Sequence, residues 1–102
     1  MENNDLLFRC QKLQRESARA GLDFLSTDTA TALAFAESAL QAENDSETRS
    51  RNQANARTGY DTVSRILNEL SSKLVTEAEK LEVADKLLLL KSKLLELGEV
   101  IP

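Results

Sequence analysis

Three arginines, two asparagines and one glutamine lie close together in the middle of the chain, between residues 49 and 57. Guanidinium groups carry paired N–H donors that match the oxygens of carboxylates and phosphates. Arginines near the start of a helix also oppose its dipole, whose positive end lies there, and this points to a bound anion. A site for a small anion or ligand would use the polar patch Arg49, Asn52, Asn55, Arg57 and Tyr60.

The plainer interpretation of this segment, which we favour, is the solvated start of a helix. Its arginines would then pair with the neighbouring carboxylates of Glu43, Asp45 and Glu47. Such exposed charge clusters contribute little to stability or function.

Residues suited to catalysis are scarce. The sequence contains no histidine and a single cysteine, Cys10. Histidine is the commonest general base at neutral pH and the commonest metal ligand, so the chain lacks the residue most often used in either role. No nucleophile–base pair and no glycine-rich phosphate loop occurs either. We therefore expect a protein that is not an enzyme and takes no metal or cofactor, with Cys10 as a small residue of the core.

The charge balance limits the partners. Thirteen Lys and Arg residues face seventeen Asp and Glu residues, which gives a net charge of −4. An acidic chain with few aromatic residues is a poor ligand for nucleic acid. The longest apolar run, Leu87–Leu90, is too short for a membrane span, and the acidic N-terminus does not resemble a signal peptide. We expect a cytoplasmic protein that binds neither nucleic acid nor membrane, and that forms a single helical domain over residues 1–102.

Four stretches show helical spacing. The first runs from about Asp5 to Leu25, and polar residues 26–29 interrupt the pattern as candidate N-caps. Along one side of this helix, which we call its seam, small or apolar residues recur alternately four and three positions apart. They are Leu6, Cys10, Leu13, Ser17, Ala20 and Phe24. The second stretch, about Asp28 to Ala42, is rich in alanine, which lets neighbouring helices approach closely.

The third stretch begins between Glu47 and Gln53 and ends near Leu70 or Leu74. Its seam has the same stepping and consists of Ala56, Tyr60, Val63, Leu67, Leu70 and Leu74. Gly59 lies inside this stretch and marks either a close approach of another helix or a tolerated weak point.

The fourth stretch opens with the capping-box sequence Thr76–Glu79 and ends at Gly98. Its seam is Val83, Leu87, Leu90, Leu94, Leu97 and Ile101. Short connections favour antiparallel neighbours, so we predict an all-α, up-down four-helix bundle. The alternative is a three-helix bundle in which residues 26–29 only kink a long first helix.

The fourth stretch carries further apolar residues outside its seam, more than packing against the other helices requires. We therefore expect a protein–protein interaction module whose partner is another protein or a second copy, most simply a homodimer. The predicted interface consists of Leu88, Leu89 and Leu95.

The sequence Asn55-Ala56-Arg57, followed by Tyr60-Asp61-Thr62-Val63, resembles a motif of small bacterial all-helical proteins of unassigned function. This resemblance implies an all-helical fold and brings no activity with it. More remotely, residues 36–42 and the helix containing Tyr60 are similar to helices of tetratricopeptide-like repeats, although the Trp and Pro of such repeats are absent.

Overall fold

Three helices make up the chain in its computed structural model, which describes residues 2–42, 44–70 and 75–102, with side chains from residue 6 onward. They are α1 (Glu2–Gln41), α2 (Ser46–Glu69) and α3 (Glu77–Glu96). Because no strand occurs in these three described ranges, the all-α prediction is confirmed. The predicted four-helix bundle is wrong, and the three-helix alternative fits.

The four-helix prediction failed because the polar segment at residues 26–29 continues α1 instead of starting a new helix. The hydroxyl of Thr27 donates to the Asp23 carbonyl at 3.1 Å. Thr29 is fully buried, and its hydroxyl donates to the Leu25 carbonyl at 2.7 Å. A threonine that bonds back to the carbonyl four residues earlier satisfies its hydroxyl within the helix, so a buried threonine need not end it.

The other helix ends lie close to their predicted positions. Asp45 caps α2, and Thr76 with Glu79 forms the complete capping box at the start of α3. Gly98 takes a positive φ of 93° after α3, and the Glu99 N–H donates to the Leu94 carbonyl at 3.0 Å. This is the Schellman type of helix end, in which glycine adopts the left-handed conformation at low cost.

The order of the side-chain contacts between α1 and α3 gives the relative direction of these helices. Arg19, Ser26 and Glu37 contact Glu79, Lys86 and Lys93 of α3 in the same order. Therefore α1 and α3 run parallel. α2 runs in the opposite direction, because Leu70 at its end contacts Lys80 near the start of α3, and Arg57 contacts Glu99 beyond the end of α3.

The core is formed by one face of each helix. The predicted seams of α2 and α3 are buried at Ala56, Val63 and Leu67, and at Val83, Leu87, Leu90, Leu94 and Leu97. Gly59 marks a close helix approach, as one of its two interpretations required. A Cβ built on Gly59 would lie only 2.7 Å from the Cβ of Ala32.

The predicted seam of α1 is wrong. Every described residue from 6 to 17 is exposed, and so are Ala20 and Phe24 further along the same seam. Cys10 is exposed as well, which corrects its expected place in the core. The buried face of α1 is instead Ala18, Leu22, Leu25, Thr29, Ala32, Ala36 and Ala39.

The seam failed because α2 and α3 pack on a different face of α1, and the first part of α1 also extends beyond them. At 1.5 Å per residue α1 is about 60 Å long and α2 about 36 Å. We call the protruding residues 6–17 the arm. The molecule accordingly measures 67 × 21 × 16 Å, with a radius of gyration of 17.5 Å. None of the described helices has the length and apolar character needed to cross a membrane.

Candidate functional site

The polar patch predicted on α2 is spread over more than one side of the helix. Arg49, Asn52 and Tyr60 are half-buried on the side of the buried Ala56, and Tyr60 packs against the core. Asn55 is exposed and lines an open cleft of about 390 Å³ between α1 and α2. Within the described part of the chain, no hydrogen bond or ion pair joins two of the five patch side chains.

Arg57 connects α2 to the segment that follows α3. Its Nε donates to Asp61 Oδ1 at 3.0 Å, and its Nη1 lies 3.3 Å from Glu99 Oε1 and 2.9 Å from the Val100 carbonyl oxygen. The hydrogen bond to Asp61 is the main reason why the pKa of Arg57 is raised. Beside it, Gln53 Nε2 donates to Glu99 Oε2 at 2.7 Å. Several donors of this guanidinium are thus already engaged within the chain.

Asp45 serves mainly as the cap of α2. Its carboxylate accepts from the Thr48 N–H at 3.0 Å and from the Thr48 hydroxyl at 2.6 Å. The hydrogen bond from the Thr48 hydroxyl is the largest cause of its lowered pKa, and the charge of Arg51 contributes least. Glu43, another expected partner of the arginines, lies outside the described residues.

An apolar surface lies on the outer side of α3. The predicted interface residues Leu88, Leu89 and Leu95 are 64%, 51% and 50% exposed, and Leu81 is exposed beside them. Leu81, Leu88 and Leu95 recur every seven residues, so they follow one another along one side of the helix. We call the four leucines the α3 face. Exposed carboxylates border it, namely Glu77, Glu82, Asp85 and Glu96.

A second exposed apolar surface lies on the arm. Leu6, Leu7, Phe8 and Leu13 are each more than half exposed. At 100° per residue, the stripe Leu6, Cys10 and Leu13 points about 100° away from the buried face of α1. Extending α2 or α3 along the bundle would therefore leave this stripe uncovered.

The clefts of the bundle are open and lined by mixed residues. A cleft of about 290 Å³ between α1 and α3 is bordered by Arg19, Asp23, Glu79 and Glu82, among others. In the described part of the chain, no three His, Cys, Asp or Glu side chains are grouped so that they could hold a metal ion.

The chain was compared with protein-family models, with curated proteins and with solved structures. Nothing matches it in any of the three comparisons.

Sequence reasoning missed the arm and left Leu81 out of the predicted interface. The signal for the arm was present, because the first helical stretch carries two apolar stripes in different directions. The missing information was which of the two stripes faces α2 and α3, and how far these helices extend beside α1.

Proposed function

We propose that this protein is a small non-enzymatic interaction module that self-associates through the α3 face. The observation that carries the proposal is the row of leucines exposed along α3 between bordering carboxylates. Contiguous apolar patches on soluble proteins commonly mark protein–protein contacts, because water wets them poorly. A border of polar groups around an apolar centre is also the usual composition of such interfaces.

The test is the solution mass, measured by size exclusion with light scattering over a range of protein concentrations. We expect a mass of at least twice the chain mass, and a shift towards the monomer in Leu88→Lys. Leu88 is 64% exposed, so the lysine should leave the fold of the single chain intact. Circular dichroism checks this.

Val100→Lys is the matched control, because Val100 is 84% exposed and lies beyond α3. It should self-associate like the unaltered protein. A protein that stays monomeric at several hundred micromolar would contradict the proposal, and so would a Leu88→Lys variant with an unchanged mass.

A small-anion site at the polar start of α2 is the second candidate. Its support is the half-buried position of Arg49 and Asn52. The engagement of Arg57 with Asp61 and Glu99 weakens it. Thermal-shift measurements with phosphate, nucleotides and dicarboxylates test this site, and no shift at millimolar concentration would reject it.

A further inference from the structure

The arm is a helical segment that contributes no side chain to the core. All its side chains from residue 6 to residue 17 are exposed, including four large apolar ones. A helix of about a dozen residues is only marginally stable in water when nothing packs against it. A partner that covers the stripe Leu6, Cys10 and Leu13 would stabilise the arm and remove this apolar surface from water.

The charges of the arm indicate the chemistry of that partner. The arm carries three cationic side chains, Arg9, Lys12 and Arg15, and one carboxylate, Glu16, and Arg19 follows shortly after it. A complementary surface is apolar along its middle and carries carboxylates on its borders.

The α3 face has this composition. Glu77, Glu82, Asp85 and Glu96 are exposed beside its leucines. Lys86 and Lys93 of the same helix contact Ser26 and Glu37 of α1 instead. The charges of the two elements already attract each other within one chain. Arg15 and Arg19 lie 3.9 Å and 3.6 Å from the two carboxylate oxygens of Glu79.

The arm cannot reach the α3 face of its own chain. Because α1 and α3 run parallel, α3 begins beside Arg15 and Arg19, and the arm extends away from the exposed leucines. The arm of another copy is free to approach them. Two arms packed on each other would instead bring their cationic side chains together, and like charges at close range oppose association.

We propose that the arm of one copy docks on the α3 face of a second copy, with its cationic side chains against the bordering carboxylates. This inference rests on the proposed function, since it names the surface that covers the α3 face. A contact of this kind weakens as salt rises, because the charges at its border are screened.

The experiment is an exchange of charges between the two surfaces in the full chain. The double variant Arg9→Glu with Lys12→Glu reverses the arm, and Glu82→Lys with Asp85→Lys reverses the border of the α3 face. All four side chains are exposed, so each variant should keep its fold. Sedimentation velocity then gives the dissociation constant of each variant alone and of their equimolar mixture.

We expect each variant alone to dissociate at least about tenfold more readily, because two border pairs become repulsive. The mixture should regain association, since the reversed arm then meets the reversed α3 face. The inference is wrong if the unaltered protein and Leu88→Lys behave as the proposed function requires while both charge variants associate normally. An unaltered protein that is monomeric throughout would reject the proposed function itself.

Disulfide cross-linking distinguishes an arm packed on the α3 face of another copy from two arms packed on each other. Cys10 is the only cysteine of the chain and is exposed on the arm stripe. Under mild oxidation, Leu88→Cys should form an intermolecular disulfide between Cys10 and the introduced thiol. The unaltered protein should form few Cys10–Cys10 dimers. Rapid Cys10–Cys10 cross-linking of the unaltered protein would instead show arms packed on each other and overturn the inference.

Discussion

At the scale of single residues, a close approach of α1 and α2 depends on the absence of a side chain at Gly59. Gly59 lies opposite Ala32, and a Cβ at Gly59 would be 2.7 Å from the Cβ of Ala32. A Cβ is fixed to the backbone, so a rotamer change cannot relieve this overlap. The helices would have to move apart where their small residues now allow close packing.

Gly59→Ala should therefore lower the free energy of unfolding, by about 1–3 kcal/mol, as overpacking of a core does. Gly21→Ala is the matched control, because nothing lies within 4 Å of a Cβ built there. It should raise stability by about 0.5–1 kcal/mol through the helix preference of alanine. Urea unfolding measures both.

The double variant Gly59→Ala with Ala32→Gly moves the methyl group from α1 to α2. It should recover much of the loss, although glycine at residue 32 costs helix stability of its own. A stabilised Gly59→Ala variant would show that the two helices can separate freely at this point.

At the scale of elements, the sequence predicted helix ends better than helix number. Capping is local, so Thr76 with Glu79, and Gly98, could each be recognised from neighbouring residues alone. The segment at residues 26–29 contains the same residue types, yet it continues α1. Tertiary packing determines that the helix continues there, because the buried face of Leu25, Thr29 and Ala32 runs through the segment without a break.

The capping box of α3 also predicts how stability depends on pH. The hydrogen bond from the Thr76 N–H is the first cause that lowers the pKa of Glu79 below its ordinary 4.5, and Arg19 and Arg15 add to it. The unfolded chain therefore binds a proton at Glu79 more readily than the folded chain does. The contribution is fully present above about pH 4.5, the ordinary value, and is lost as the pH falls through the lower folded pKa.

Glu79→Gln tests this dependence, because glutamine keeps a side-chain oxygen that can accept in the capping box but does not titrate. Its free energy of unfolding should fall less steeply than that of the unaltered protein between about pH 5 and pH 2. Equal slopes in urea unfolding at several pH values would show that Glu79 contributes nothing to acid sensitivity.

At the scale of the whole molecule, the bundle and the arm have different roles. The core lies between residue 18 of α1 and residue 97 after α3, and no described side chain of the arm belongs to it. The sequence predicted a single apolar seam on the first helical stretch, but not that a different face of this helix is buried. The buried face depends on the side of α1 on which α2 and α3 pack, which no local pattern of residues specifies.

Deletion of residues 2–14 should therefore leave the fold of the bundle nearly intact. At dilute concentrations where the full chain is monomeric, we expect the two unfolding free energies to agree within about 1 kcal/mol, since the described side chains of the deleted part, residues 6–14, are all exposed. Leu25→Ala is the contrast, because Leu25 is 2% exposed. It should cost about 2–5 kcal/mol by opening a cavity in the core. If the deletion destabilises the monomer as strongly as Leu25→Ala does, the arm contributes to the fold of its own chain and is not reserved for a partner.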